Sequence, residues 1–286
     1  MALLEEKLHR ALFGVMTFGA GQGDAAVCTL AADLLSQHLA AGDLTVPRRF
    51  EAMRALLVLG IAVAAADPAR VGLVAQLLAA GLDQMPDRPS DDPLKLSLRN
   101  NHLLMQAAVL LSFPEVASGR AGATELTARF LAEMTDDGLF PSELCRGASA
   151  LWYANMAVML LTTIAALSDH DVVSPNVLKR AIAGFGHALS LPPEVLRLAR
   201  QNLYPQPGHG HNPTAPDLGF LKGYHRSRHY LAWVPLAQSL LPDTPLPVSV
   251  SADDQFPLVN DFIGGFATTM VARIAHKTAA QTSIPG

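Results

Sequence analysis

The sequence is short of charge. Only 16 % of its 286 residues are Asp, Glu, Lys or Arg, where an ordinary globular chain carries about 25 %. Aromatics are scarce at 6 %, and there are two cysteines, Cys28 and Cys145. Two cysteines exclude a disulfide-rich scaffold and a cysteine-based zinc site. The 21 Lys+Arg against 25 Asp+Glu leave a net −4, which excludes a basic nucleic-acid binder. Disorder requires low hydrophobicity, and half of this chain is hydrophobic, with mean hydropathy +0.25. Also missing are a Gly-rich phosphate loop after a strand, a nucleophile elbow, and a carboxylate pair set out for glycoside hydrolysis.

What is abundant is apolar sequence, and it raises the membrane question. Ala148–Leu167 is uncharged over about the 20 residues a bilayer requires. It nevertheless contains Ser149, Tyr153, Asn155, Thr162 and Thr163, and Arg146 stands just before it. A second run, Ala55–Ala66, is too short to span, and no Lys/Arg asymmetry flanks either run. The expectation is a helix buried among helices, with no membrane span. The first residues, MALLEEKLHRALFG, place Glu5, Glu6, Lys7 and Arg10 where a signal peptide has its apolar core. The chain as given is therefore expected to be cytoplasmic or to lack its original leader.

The period is helical nearly throughout, with apolar residues recurring at three and four and no sustained alternation. It predicts helices over about 2–15, 25–41, 47–66, 68–85, 93–112, 120–134, 145–168, 174–189, 192–203 and 219–241. Asp67-Pro68, Asp92-Pro93 and Ser174-Pro175 read as N-caps followed by first-turn prolines. Short connectors make successive helices antiparallel neighbours. The class is all-α, in one domain over 1–270 with a tail at 271–286. In a two-layer ring of helices the inner layer is apolar nearly all round, which accounts for the scarcity of charge. Residues 204–217, YPQPGHGHNPTAPD, break the pattern as a long loop, and Asp261–His276 can form one more helix. His209 and His211 could ligate zinc, but no further ligands stand at a suitable spacing, so no metal and no cofactor are expected.

Three constellations carry possible chemistry. Arg99-Asn100-Asn101-His102 places polar groups inside an otherwise apolar helix. They are either a satisfied interhelical network or a site. Next, Glu143-Leu144-Cys145-Arg146-Gly147 leads into Trp152-Tyr153-Ala154-Asn155. Arg146 and Tyr153 are seven apart, so a continuous helix puts them on one face, about 10 Å apart along its axis. Either Arg146 pairs with Glu143 while Tyr153 packs with its hydroxyl outward, or the two act together. Third, Lys222 to Tyr230 is a basic cluster on an acidic protein, either a solvated face or an anion-binding wall.

In order, Asn100-Asn101-His102, then Gly138–Pro141 with Glu143-Leu144 and Arg146-Gly147, then Ala150-Leu151 and Tyr153-Ala154-Asn155 resemble the alginate lyase family. These are the mannuronate-specific lyases of polysaccharide lyase family five. The family pattern is Asn-Asn-His, Glu-Leu-x-Arg-Gly and Tyr-His-Asn, and weaker echoes extend the match from Cys28 to Met270. The resemblance implies an incomplete (α/α) toroid, or barrel, of antiparallel helix hairpins. It implies cleavage of a 1,4-linked polyuronate by β-elimination, in the periplasm or outside the cell, with an acidic polysaccharide as partner and no nucleic acid. Carried over by position, Asn101, His102 and Arg146 bind the substrate carboxylate, and Tyr153 is the acid and the base, with His102 as the alternative base. Asn100, Trp152, Asn155, Lys222, Arg226 and Arg228 are the further substrate-binding candidates. With a net −4, an acidic polymer has to be held by a local set: Arg146, His102, Lys222, Arg226 and Arg228. Ala154 stands where the family has histidine, and Leu103-Leu104 where it often has a small polar residue and an aromatic. These departures bear on which polymer is cleaved: polymannuronate, polyglucuronate or another uronate polymer. They also motivate a second class, a non-catalytic saccharide-binding protein on the same toroid. The apolar excess motivates a third, a helical interaction module.

Overall fold

The computed structural model describes residues 26, 29–30, 53–54, 56–58, 60–61, 100–113, 119–203, 216–225, 228–250, 258–272 and 274. Of the expected helices, 2–15 and 68–85 lie outside these residues, as do His209 and His211. Helices 25–41 and 47–66 are described at a few positions each, all of them helical.

Among the described residues, the α-helices described from end to end follow in the order α1 (Asn101–Ser112), α2 (Gly119–Leu131), α3 (Pro141–Leu144), α4 (Ala150–Ser168), α5 (Pro175–Leu189), α6 (Pro193–Gln201) and α7 (Val234–Leu240). α4 is central. It is packed by α1, α3, α5, α7 and a 3-10 turn at Asp261–Ile263. Every residue of α4 is buried except Trp152 and Tyr153. Three of its polar residues are satisfied within the helix. The hydroxyls of Thr162, Thr163 and Ser168 donate to the carbonyls of Val158, Met159 and Ile164 at 2.8, 2.9 and 2.8 Å. This is how a helix long and apolar enough to cross a membrane sits instead against protein on nearly all sides. Leu104, Met105, Phe113, Phe130 and Trp233 fill the core around it.

The sequence signals for helix ends are realised locally. Ser174 caps α5, its hydroxyl accepting from the Val177 N–H at 3.4 Å, and Pro175 occupies the first turn. Before α3, the loop over 135–140 lies against α5. Gly138 has φ +78°, and a Cβ there would stand 2.1 Å from the Arg180 carbonyl oxygen. Gly184, opposite, would meet the Gly138 carbonyl at 2.2 Å. Two glycines therefore let loop and helix touch backbone to backbone, which sets where α3 begins.

The helix expected over 93–112 begins at Asn101, and three further expected helices differ. The one predicted over 145–168 is broken by a 3-10 turn at Gly147–Ser149, so α4 starts at Ala150. The one predicted over 219–241 is a 3-10 turn (Gly219–Lys222), an antiparallel hairpin and then α7. Gly223, at φ 100° and ψ −130°, stops the first turn in a conformation that side chains exclude. Strand β1 (Tyr224–His225) then pairs with β2 (Arg228–His229). Within Asp261–His276, helix begins only at Ala267. Gly264 and Gly265 have positive φ (79° and 116°), and β3 (Val259–Asn260) turns back there onto β4 (Gly265–Phe266).

Candidate functional site

The first constellation lies at a helix start. Asn100 is the N-cap of α1, and its side-chain oxygen accepts from the His102 N–H at 3.2 Å. The polar residues are thus placed where backbone N–H groups need partners, rather than in mid-helix as the periodicity suggests. α1 has no acidic residue in its first turn. It receives one from 42 residues away: the Asn101 N–H donates to Glu143 Oε1 at 2.7 Å. The Asn101 side chain is buried, and neither its Nδ2 nor its Oδ1 has a hydrogen-bond partner among the described residues. Such an amide costs about 1–3 kcal/mol per unmet group.

His102 is half-buried. Burial first, then the positive charges of Arg146 and Arg54, push its imidazole down to about 3. The ring is therefore neutral at any ordinary pH, one nitrogen donating and the other accepting.

Arg146 stands on the turn between α3 and α4. The turn is tied from outside: Leu203 N–H donates to the Cys145 carbonyl at 3.0 Å and Asp217 N–H to the Ala148 carbonyl at 2.7 Å. Because the turn interrupts the helix, Arg146 is not one face-length away from Tyr153. Its guanidinium carbon sits 4.2 Å from the Tyr153 ring centroid, a close cation–π stack. The spacing of seven pointed to a shared face; the broken helix turns it into direct contact. Cys145 beside it is no nucleophile: its thiol donates to the Ser142 carbonyl at 3.2 Å, and burial pushes it up to about 11.

Two carboxylates flank Arg146. Burial raises Glu143 to about 7, with Arg146 and the Asn101 N–H pulling it back down and Glu133 pushing it up. Burial also raises Glu133, whose carboxylate accepts from the Ser142 hydroxyl and backbone N–H. Trp152 packs edge-on against Tyr153 (4.6 Å) and Tyr230 (5.9 Å).

Asn101, His102, Arg146 and Tyr153 are thus linked through shared contacts and charges. The other candidates are placed differently. Asn100 spends its oxygen on the cap. Asn155 is wholly buried, donating to the Tyr230 carbonyl at 3.0 Å and accepting from Trp233 Nε1 at 2.9 Å. Arg228 pairs with buried Asp261 at 2.8 Å, which Arg54 also reaches at 3.5 Å. Lys222 is exposed on the 3-10 turn, and Arg226 lies outside the described residues. Of the described members of the local cationic set, His102 carries no charge, Arg228 shares the single Asp261 carboxylate with Arg54, and Arg146 lies against Tyr153. Among the described residues no three His, Cys, Asp or Glu come together as a metal site.

Sequence reasoning passed over Arg54, Asp261 and Glu133. Arg54 opens an apolar run and Asp261 interrupts another, the only signal either gives. Both are buried, at 5 % and 4 % exposure.

A search of curated proteins finds no match to the chain. Solved structures do match. Alginate lyase A1-III from Sphingomonas species A1 superposes with a TM-score of 0.66 at 17 % identity, over 93 % of this chain and 76 % of that one. A histidine-to-alanine variant of alginate lyase A1-III, complexed with a tetrasaccharide, gives 0.65 at 16 % identity, over 93 % and 77 %. A tyrosine-to-phenylalanine variant of it, also with a tetrasaccharide, gives 0.62 at 15 %, over 93 % and 76 %. At these identities the likeness establishes the fold: an (α/α) toroid of helix hairpins. The family model for alginate lyase matches residues 32–180, more than half of the chain and the whole of the Asn101–Tyr153 cluster. With fold and family model in agreement, the chain belongs to the alginate lyase family.

Proposed function

We propose that the chain is a polysaccharide lyase that cleaves a 1,4-linked polyuronate by β-elimination. The observation that carries this reading is the Arg146–Tyr153 stack at 4.2 Å, set beside the unengaged amide of Asn101 and the neutral His102.

The chemistry needs three things. The C5 proton of a uronate is weakly acidic, so the adjacent carboxylate must be neutralised for an enolate-like intermediate to form. A base then removes that proton, and an acid protonates O4 as the C4–O4 bond breaks and the C4–C5 double bond forms. Asn101 Nδ2 and the neutral imidazole of His102 supply hydrogen bonds, and Arg146 supplies the positive charge. Preorganised donors of this kind are worth about 10²–10³ in turnover.

His102, held down to about 3, is a poor proton acceptor and a good neutral donor, which favours Tyr153 as the base. A guanidinium against the ring attracts the negative charge that forms on the phenol oxygen once its proton has left. The phenolate takes the C5 proton, and the same hydroxyl returns it to O4. Tyr153 and Trp152 are the two residues of α4 that are only half-buried, where a substrate can reach them. The aromatic pair offers a face for a sugar ring. Such polymers lie outside the cytoplasm, so the reading places the enzyme in the periplasm or beyond the cell.

The test is the absorbance of 4,5-unsaturated uronate released from polymannuronate and polyglucuronate. Wild-type chain yields product from one of them, and Tyr153→Phe lowers kcat by roughly 10³ while it still binds polymer. Full activity in Tyr153→Phe removes this mechanism. Polymer binding without product from the wild type would make the chain a saccharide-binding protein instead.

A further inference from the structure

A carboxylate buried beside a site for carboxylates calls for an explanation. Glu143 is fully buried, on the short helix α3, and it bonds the Asn101 backbone across 42 residues of chain. We propose that Glu143 is a positioning residue: its carboxyl ties Asn101 to the turn bearing Arg146, so that the two groups meant for the substrate carboxylate keep one mutual geometry. The proposal rests on the lyase reading.

The geometry leaves Glu143 two jobs, one for each feature of its side chain. Oε1 is spent on the Asn101 N–H at 2.7 Å, which also places a negative group at the N-terminus of α1. Its charge answers Arg146. No substrate contact is needed for either job, since Glu143 acts through Asn101 and Arg146.

The second job makes the site sensitive to pH. The charges acting on Glu143 are Arg146 on the adjoining turn and Glu133 after α2, itself held by Ser142. α4 bears no charged residue; Arg197 and Arg200 of α6 are exposed, and Glu194 of α6 pairs with His187. Glu143 stands at about 7, so it is protonated below neutrality and ionised above it. Ionised, it competes with the uronate carboxylate for Arg146, and KM rises as pH climbs through neutrality.

The experiment compares wild type, Glu143→Gln and Glu143→Ala on the polyuronate that the wild type cleaves, from pH 5 to 9, with circular dichroism to verify folding. Glutamine keeps the oxygen that accepts from Asn101 and loses the charge. Glu143→Gln is expected to hold kcat within about threefold, and its KM no longer rises through pH 7. Glu143→Ala is expected to lose about a hundredfold in kcat, the cost of a misplaced binding group. A folded Glu143→Ala with wild-type kcat overturns the proposal, as does a folded Glu143→Gln no better than Glu143→Ala. If Glu143→Ala does not fold, the glutamine variant decides, and a KM that still rises through pH 7 overturns it. A wild type inactive on every polyuronate overturns the lyase reading, and the proposal with it.

Discussion

Asn155 offers the sharpest separation of packing from chemistry. It lies in the family-like Tyr153-Ala154-Asn155 stretch, yet its amide is enclosed and bonded at both ends. Leucine keeps the branching and the number of side-chain heavy atoms of asparagine, so Asn155→Leu removes the two hydrogen bonds and opens no cavity. It leaves the Trp233 indole N–H and the Tyr230 carbonyl buried with their partner gone. Each orphaned group costs about 1–3 kcal/mol, hence roughly 2–6 kcal/mol in all. Set against a typical domain stability of about 5–15 kcal/mol, that is a large fraction. For a chain of this size each kcal/mol moves the melting midpoint by about 2–4 °C, so the midpoint falls by roughly 5–20 °C. Thermal unfolding followed by circular dichroism reads the midpoint. Michaelis parameters taken well below it read the site, and there KM stays at the wild-type value. An unchanged midpoint with a raised KM would refute the reasoning and return Asn155 to the substrate.

Two further outcomes follow from the buried charges and the close backbones. His102 is lowered from 6.5 to about 3 on folding, so the unfolded chain binds the extra proton, and the stability this gives is present above 6.5 and lost as pH falls toward 3. Glu143 is raised from 4.5 to about 7, so its contribution runs the other way, present below 4.5 and lost as pH rises to 7. Urea midpoints should therefore show opposed slopes between pH 4.5 and 6.5; His102→Gln should leave stability falling with pH across that window, and a profile identical to wild type would refute the assignment. Gly138→Ala meets both a positive φ of +78° and the Arg180 carbonyl. It should cost at least about 1–2 kcal/mol in urea unfolding, and a neutral result would mean that the 135–140 loop does not need its close approach to α5.

Much of the architecture was legible along the chain because it depends on neighbours. Apolar residues at three and four, and Ser174 before Pro175, each act within a few residues. The helices at 119–131, 175–189 and 193–201 accordingly fall where the pattern puts them, within a few residues at their ends. The poverty in charge announced a buried inner helix, and α4 is that helix.

The rest depended on groups far apart in sequence. Periodicity does not register that the 3-10 turn at Gly147–Ser149 breaks a helix, and that break is what lays Arg146 on Tyr153. Glu143 looked like a local partner for Arg146, and only folding brings it to the Asn101 N–H, 42 residues back. Arg228 looked like an anion-binding cation until Asp261, 33 positions on by their numbers, was found against it. The sequence by itself determined which residue types were available for the chemistry, because side-chain chemistry is local. Tertiary structure alone decided which of them are charged, which are enclosed and which face one another, because desolvation and distance are properties of the packed chain.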